Sequence, residues 1–196
     1  MIAFRYTKSD GAEFLSHLDL LRHIYRTMRR AGIPVAMSEG YHAHARIYLN
    51  NPLPVGIASV AEYGCVDTDF DGDFKSLFNG FAPKGVTCVD YKKVDINPNY
   101  AASIEKCTYT AEGITPFDVQ EILGEEHIII NDTRGREIDI RERLYDLETD
   151  GDAVKFTCGC NEKNLRPDLF ASYLGERFGG TVRRIVKIAS YGKGVF

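Results

Sequence analysis

The sequence predicts an α+β fold of antiparallel sheet with helices on one face. Three observations predict it. Short β-prone runs and apolar helical stripes alternate as β-α-β-β-α-β from Ile2 to Val94. A second, looser cycle of the same elements follows, and the turn-rich stretch Asp95–Ser103 (DINPNYAAS) lies between them. This order is the split βαβ, ferredoxin-like pattern, in which two helices pack on one face of an antiparallel sheet. The expectation is therefore two ferredoxin-like halves, residues 1–96 and 97–196.

Each element has a local reason. Ile2–Thr7 is β-prone and ends in the turn signal Ser9-Asp10-Gly11. Ser16 is a good N-cap with Asp19 three residues on, a capping-box spacing with a shorter acid. Leu15, Leu18, Leu21, Ile24/Tyr25 and Met28 recur at three to four residues as an apolar helix stripe. Asp19, Arg22, His23, Arg26, Arg29 and Arg30 occupy the other face. Gly32 closes this helix, and Pro34 prevents its continuation.

Pro34–Met37 reads as extended and Ser38-Glu39-Gly40 as a turn. Tyr41–Leu49 alternates like a strand, with His42, His44, Arg46 and Tyr48 on one face. Val60–Thr68 is a further strand. Phe74, Leu77, Phe78 and Phe81 mark a second helix, stopped by Pro83 and Gly85, and Val86–Val94 completes the first cycle.

In the second cycle Ile104–Ala111 is extended, and Thr115-Pro116 opens a helix through Leu123. His127–Ile130 and Glu137–Ile140 flank a polar turn as a hairpin. Ala153–Cys158 is a strand, Pro167–Phe178 a helix and Thr181–Ser190 a final strand. Ile140, Leu144 and Leu147 fit either period. Gly192-Lys193-Gly194 reads as a flexible tail.

The 196 residues, 44% apolar and 27% charged, are ordinary for a globular protein of one or two domains. MIAFRYTKSD lacks the order of a signal peptide, and no apolar run approaches a membrane span. A cytoplasmic protein with no membrane association is expected. Five cysteines with no CxxC pair argue against a disulfide framework or a zinc ribbon, and favour thiols filling the core. P-loop, GxGxxG, HExxH and GxSxG motifs are absent.

Residues 16–46 concentrate what chemistry the sequence offers. Four of the five histidines lie there, with five arginines against two acids, in a chain of net charge −4. A negative chain does not coat nucleic acid wholesale, so phosphate contact needs a local basic face such as this one. His17, in the first helical turn, is favoured as a neutral imidazole, able to act as general base or to bond a phosphate oxygen. Asp19 is explained as a capping acid with Arg22 and His23 as helix-spaced partners. Arg22, Arg26, Arg29 and Arg30 form an all-arginine row. Such a row is often only solvated helix, but guanidinium forks suit phosphate and carboxylate. Tyr25, Tyr41 and Tyr48 add the aromatic component that single-stranded RNA uses. His42 and His44 would suit a metal pair with a third ligand from His17, His23 or Glu62, or a phosphate-facing patch with Arg46. The Arg46 charge disfavours a cation on that face, so neither metal nor cofactor is expected.

Phe14-Leu15-Ser16-His17-Leu18-Asp19-Leu20-Leu21-Arg22, Arg29-Arg30-Ala31-Gly32-Ile33-Pro34 and Ser38-Glu39-Gly40-Tyr41 together resemble the radical-SAM-linked proteins. These are domains fused to, or encoded beside, radical-SAM enzymes. Pro52-Leu53-Pro54-Val55-Gly56, Ala61-Glu62-Tyr63 and the later Asn164–Asp168 extend the resemblance over most of the chain. Where that family tends to show Gly-Phe-Asn-Pro-His-Pro-Lys, this chain has Gly40-Tyr41-His42-Ala43-His44-Ala45-Arg46, so His44 and the following basic residue match. The resemblance implies a radical-SAM partner, and it favours His17, Asp19, Arg22, His44 and Arg46 as site residues.

Three functional expectations follow. In the first, the chain is a non-catalytic binding or adaptor module that presents His17, Asp19, Arg22, Arg26, Arg29, Tyr41, His42, His44 and Arg46 to RNA for the partner enzyme. In the second, it is a metal-independent endoribonuclease resembling the CRISPR-RNA-processing enzymes, with His17 or His44 as general base. In the third, the basic stretch docks on an acidic face of the partner protein. All three share one spatial expectation: the arginine face of the first helix and the His44/Arg46 ribbon line a common hollow.

Overall fold

A computed structural model describes residues 1–196. The elements in chain order are β1 (Ile2–Lys8), α1 (His17–Arg30), β2 (Ile47–Leu49), β3 (Ala58–Val66), α2 (Phe74–Phe81) and β4 (Cys88–Lys93). They continue as α3 (Tyr100–Ser103), β5 (Ile104–Ile114), α4 (Gln120–Leu123), β6 (Ile129–Asn131), β7 (Glu137–Asp139), β8 (Leu144–Asp150), β9 (Ala153–Gly159), α5 (Pro167–Phe178) and β10 (Gly180–Gly192). The fold is mixed α+β and mostly antiparallel. No helix is long and apolar enough to cross a membrane.

The chain packs as two compact units, Met1–Ile104 with Gly192–Phe196, and Glu105–Tyr191. The sequence drew the division at 96/97, inside a turn-rich stretch. The last four residues of that stretch form α3, whose buried Tyr100 has its ring 5.1 Å from that of Tyr63. Burial of that ring ties α3 to the first unit. The final residues, expected as a flexible tail, are held there too. The Tyr63 hydroxyl donates to the Phe196 carbonyl at 2.7 Å, and Lys92 Nζ to the Gly194 carbonyl at 3.2 Å.

In the first unit the strands run in the order β4-β1-β3, with β2 pairing β3. β1–β3, β1–β4 and β2–β3 are all antiparallel. Ile2, Phe4 and Tyr6 alternate along β1 and share one core with Leu20, Ile24 and Met28 of α1 and with Phe74 and Phe78 of α2. Both helices therefore cover the same face. Phe4 meets Phe74 and Phe78 at ring separations of 5.5 and 6.0 Å. Each fully buried ring of this kind contributes about 2–3 kcal/mol of hydrophobic stabilisation. Gly64 is where this packing needs a glycine, since a Cβ there would lie 2.5 Å from the Phe4 ring.

The expected stripe holds at Ile24 and Met28, which are buried, and at Leu15, Leu21 and Tyr25, which pack against the core; it fails at Leu18, whose place is taken by Leu20. Leu20, Ile24, Thr27 and Met28 are inside, whereas Leu18 is 62% exposed. Leu18 and Leu20 are two positions apart and so lie on opposite flanks of a helix. The cap is as expected, with Ser16 Oγ accepting the Asp19 N–H at 3.1 Å.

The second unit orders its strands β10-β5-β9-β8. Tyr109 faces Phe156 across the β5–β9 pair, and Phe170 of α5 meets Phe156 edge-on at 5.0 Å. The expected hairpin is the separate β6–β7 pair, and the ambiguous passage from Ile140 resolves into a short 3-10 turn followed by β8. The helix expected from Thr115 to Leu123 shrinks to the single turn of α4. Pro116 and Phe117 stay outside it, and the Phe117 ring stacks on Phe178 with centroids 4.0 Å apart.

Candidate functional site

α1 presents its arginines unequally. Arg22 is paired with Asp19 at 3.0 Å. Asp19 thus receives both the Ser16 hydroxyl and Arg22, and these hydrogen bonds hold its carboxyl below the usual range. Arg30 is spent on structure, donating to the Phe81 carbonyl at the end of α2 at 2.8 Å. Arg26 and Arg29 are exposed, and neither pairs with a carboxylate. The Arg29 guanidinium lies 5.9 Å from the centre of the Tyr25 ring. Tyr25 and Arg29 then form one wall of an open groove of about 360 Å³, lined further by Gly32, Ile33, Pro34, Val35 and Met37.

The expected strand over Tyr41–Leu49 forms only at Ile47–Leu49. Upstream, the chain folds back on itself: Met37 bridges Ala45, and the Ser38 N–H donates to the His44 carbonyl at 2.8 Å. The Ala36 N–H donates to the Asp67 carbonyl, and the Arg46 N–H to Ala36, which moors this ribbon beside the end of β3. Gly40 closes the turn at φ 106°, a left-handed conformation that only glycine adopts freely. His42 therefore sits in the turn rather than on a strand face, and the same-face geometry expected of His42 and His44 does not exist. The Tyr41 ring is 97% exposed, with His42 edge-on to it at 4.9 Å. Arg46 pairs with Asp67 at 2.9 Å.

The structure thus brings part of the predicted set together. The Tyr25 hydroxyl reaches Met37 Sδ at 4.0 Å, so the C-terminal half of α1 and the ribbon carrying His44 flank the same groove. Arg22 and Arg46 each face a carboxylate instead. His17 belongs elsewhere: twelve positions before Arg29, it lies about 18 Å away along the helix axis.

Around His17 the structure builds a polar cluster that the sequence did not reveal. Glu62, opposite Tyr6 in the β1–β3 register, points to the helix-covered face and is 3% exposed. Its carboxylate accepts the Ser59 hydroxyl at 2.8 Å and the Asn50 amide at 3.0 Å. Asn50 also accepts the Tyr63 N–H at 2.9 Å. Lys8 is buried in the same region at 2% exposure, opposite Ser59. Burial lowers the His17 pKa; the nearby Glu62 charge opposes that and the Lys8 charge adds to it. A fixed carboxylate and a buried ammonium behind a half-buried neutral imidazole can orient it for hydrogen bonding or proton transfer. The loop holding Pro52–Gly56 is tied to the turn just before α1, its Gly56 N–H donating to the Glu13 carbonyl at 2.9 Å. The one available signal was that the His17 stretch, the Pro-Leu-Pro-Val-Gly run and Ala61-Glu62-Tyr63 all belong to the same family resemblance. Distance in sequence concealed their convergence. No group of three or more His, Cys, Asp or Glu side chains is arranged to hold a metal ion.

Among solved structures the chain resembles one titled "Crystal Structure of a Cbf5-Nop10-Gar1 Complex", with a TM-score of 0.50 at 11% sequence identity. The match covers 96% of this chain and 48% of that one, so the present chain spans about half its length. At this identity the likeness shows the fold alone. No curated protein matches the chain. A family model described as "Uncharacterized protein conserved in bacteria (DUF2344)" matches residues 2–167, and the chain belongs to that family.

Proposed function

We propose that this chain is a binding module that recognises RNA, structured or modified, for a radical-SAM partner enzyme. One observation carries the RNA part: Arg29, exposed and without a carboxylate partner, lines a groove with Tyr25 and Met37. Arg26, also exposed and unpaired with a carboxylate, lies one helical turn before it, and Met37 begins the ribbon that leads to the exposed Tyr41/His42 tip. Guanidinium groups for phosphate and open aromatic faces for bases are what single-stranded segments of RNA require. The working residues in this reading are Tyr25, Arg26, Arg29, Tyr41, His42 and His44, with Arg22 and Arg46 in supporting positions. The partner rests on the motif resemblance. The strand order fourth-first-third-second, common to both units, supports reading each as a ferredoxin-like half with β6–β7 inserted in the second. With RNA as its ligand the chain would work in the cytoplasm.

The test is a filter-binding titration with total cellular RNA across a salt series. The wild type should bind with a salt-sensitive affinity, and the Arg26→Ala/Arg29→Ala variant should bind more weakly. Its logarithmic salt slope should be shallower by roughly 1.4, two phosphate contacts at about 0.7 each for single strands. Salt-insensitive uptake, or none, ends this reading.

The geometry of His17 favours a second reading, a metal-independent endoribonuclease with His17 as general base. Its lowered proton affinity keeps the ring neutral, as a base must be. Labelled RNA that survives long incubation with excess protein in EDTA would rule it out.

A further inference from the structure

The cysteines do more than fill the core at one place. Cys107 of β5 stands opposite Cys158 of β9, and the ladder continues one step further as the Cys160 N–H donates to the Glu105 carbonyl at 2.8 Å. Cys107 and Cys160 are thus diagonal neighbours on adjacent strands. The Cys160 thiol points at Cys107, with the sulfurs 3.3 Å apart, and Ser190 Oγ lies 3.6 Å from Cys107 on β10. Cys158, by contrast, turns its thiol to the Leu165 carbonyl at 3.4 Å.

We propose that Cys107 and Cys160 are an oxidation site that closes to an intramolecular disulfide under hydroperoxide. The two thiols differ in access, and that difference sets the order of events. Cys160 is partly exposed, so a peroxide reaches it first; Cys107 is buried behind it. The Cys160 thiolate attacks one peroxide oxygen, an S–O bond forms, the O–O bond breaks, and the departing hydroxide takes up the released proton as water. The Cys107 thiolate then attacks the sulfenic sulfur, forming the S–S bond and expelling a second hydroxide that leaves as water. In balance, two thiols and one hydroperoxide give one disulfide and two oxygen-borne leaving groups, water in both places when the oxidant is hydrogen peroxide.

The contact already lies near bonding geometry. Bond formation needs the sulfurs to approach to about 2.05 Å, a closure of little more than an ångström that rotation about the two Cα–Cβ bonds can supply. Cys160 is then withdrawn from further oxidation, because the proximate Cys107 thiol traps its sulfenic acid before a second peroxide arrives. The electrostatics set the pace. The hydrogen bond between the two thiols and their burial push the Cys160 thiol upward, while the neighbouring Lys187 charge opposes this. A thiol held protonated reacts slowly at neutral pH, so the pair is a slow site that accelerates with pH rather than a fast sensor.

The experiment uses the reduced full-length chain, desalted and exposed to excess hydrogen peroxide, then alkylated, digested without reductant and mapped by mass spectrometry. A cross-linked species pairing the Cys107 and Cys160 peptides, lacking two hydrogens, is expected. Its rate should rise roughly tenfold per pH unit between about pH 7 and about pH 8. Cys160→Ala should abolish it, and Cys88→Ser should leave it intact. Because the wild type is mapped directly, a variant that misfolds does not obscure the answer. Sulfinic or sulfonic acid at Cys160 without a cross-link, a bridge through Cys158, or bridges only between molecules would each overturn the proposal.

Discussion

Ser38 and His44 hold each other twice: the Ser38 hydroxyl accepts the His44 backbone N–H at 3.0 Å and lies 2.9 Å from His44 Nδ1. A hydroxyl has one proton to give and two lone pairs to accept with, so the Ser38 hydroxyl donates to Nδ1 in one ring tautomer and accepts from it in the other. In both, Nε2 is the ring nitrogen that this clamp leaves uncommitted. An Nε2 that carries the proton suits a phosphate oxygen, and one without it suits a general base.

Ser38→Ala removes both bonds. The cost in global stability should be small, about 1 kcal/mol, because the site is exposed. Amide exchange over residues 38–46 should nevertheless speed up strongly. Unchanged exchange there would mean that the clamp does not hold the ribbon.

The arginines should separate into two classes. Arg22 and Arg46 already face Asp19 and Asp67, whereas Arg26 and Arg29 pair with no carboxylate. Arg26→Ala/Arg29→Ala should weaken RNA binding more than Arg22→Ala/Arg46→Ala at equal salt, by roughly the contribution of one to two phosphate contacts. Equal losses in the two double variants would contradict the distinction.

Leu18 and Leu20 test the face of α1. Leu20→Ala empties a filled core position and should cost about 2–5 kcal/mol in urea unfolding. Leu18→Ala should change stability by no more than about 0.5 kcal/mol. The reverse ranking would place the apolar stripe as the sequence alone suggested.

Lys8 and Glu62 are both buried, and Glu62 has both carboxylate oxygens engaged. Removing one charge strands the other, so Lys8→Met or Glu62→Leu alone should destabilise by about 3–5 kcal/mol. The double variant should lose clearly less than the sum of the two. Additive losses in a denaturation cycle would show that the two charges do not depend on each other.

His17 supplies the pH signature. Its folded-state proton affinity is lowered, chiefly by burial, so the unfolded chain binds the proton more tightly. Stability should therefore fall as pH drops below about 6.5, where the unfolded histidine charges first, and recover as pH rises above it. His17→Gln should flatten that part of the stability–pH curve. A slope that survives the substitution would assign it to another group.

Elements whose causes are local were legible in the sequence. The Ser16 cap and the arginine-bearing length of α1 needed only neighbouring residues. So did α5, which begins at Pro167 and ends at Phe178 as its apolar spacing dictates. What depends on distant partners emerged only from the packed chain. Tyr41–Arg46 alternates like a strand, yet Ser38, Ala36 and Asp67 draw it into a moored turn. Tyr63 claims Tyr100 and Phe196, and so moves the boundary between the units. Above all, Lys8, Asn50, Ser59 and Glu62 come together near His17 only because β3 pairs in register with β1 on one side and β2 on the other, and no pattern within any one stretch encodes that meeting. Local propensity is written in adjacent residues, whereas the gathering of buried charges is written only in the sheet that brings them into one region.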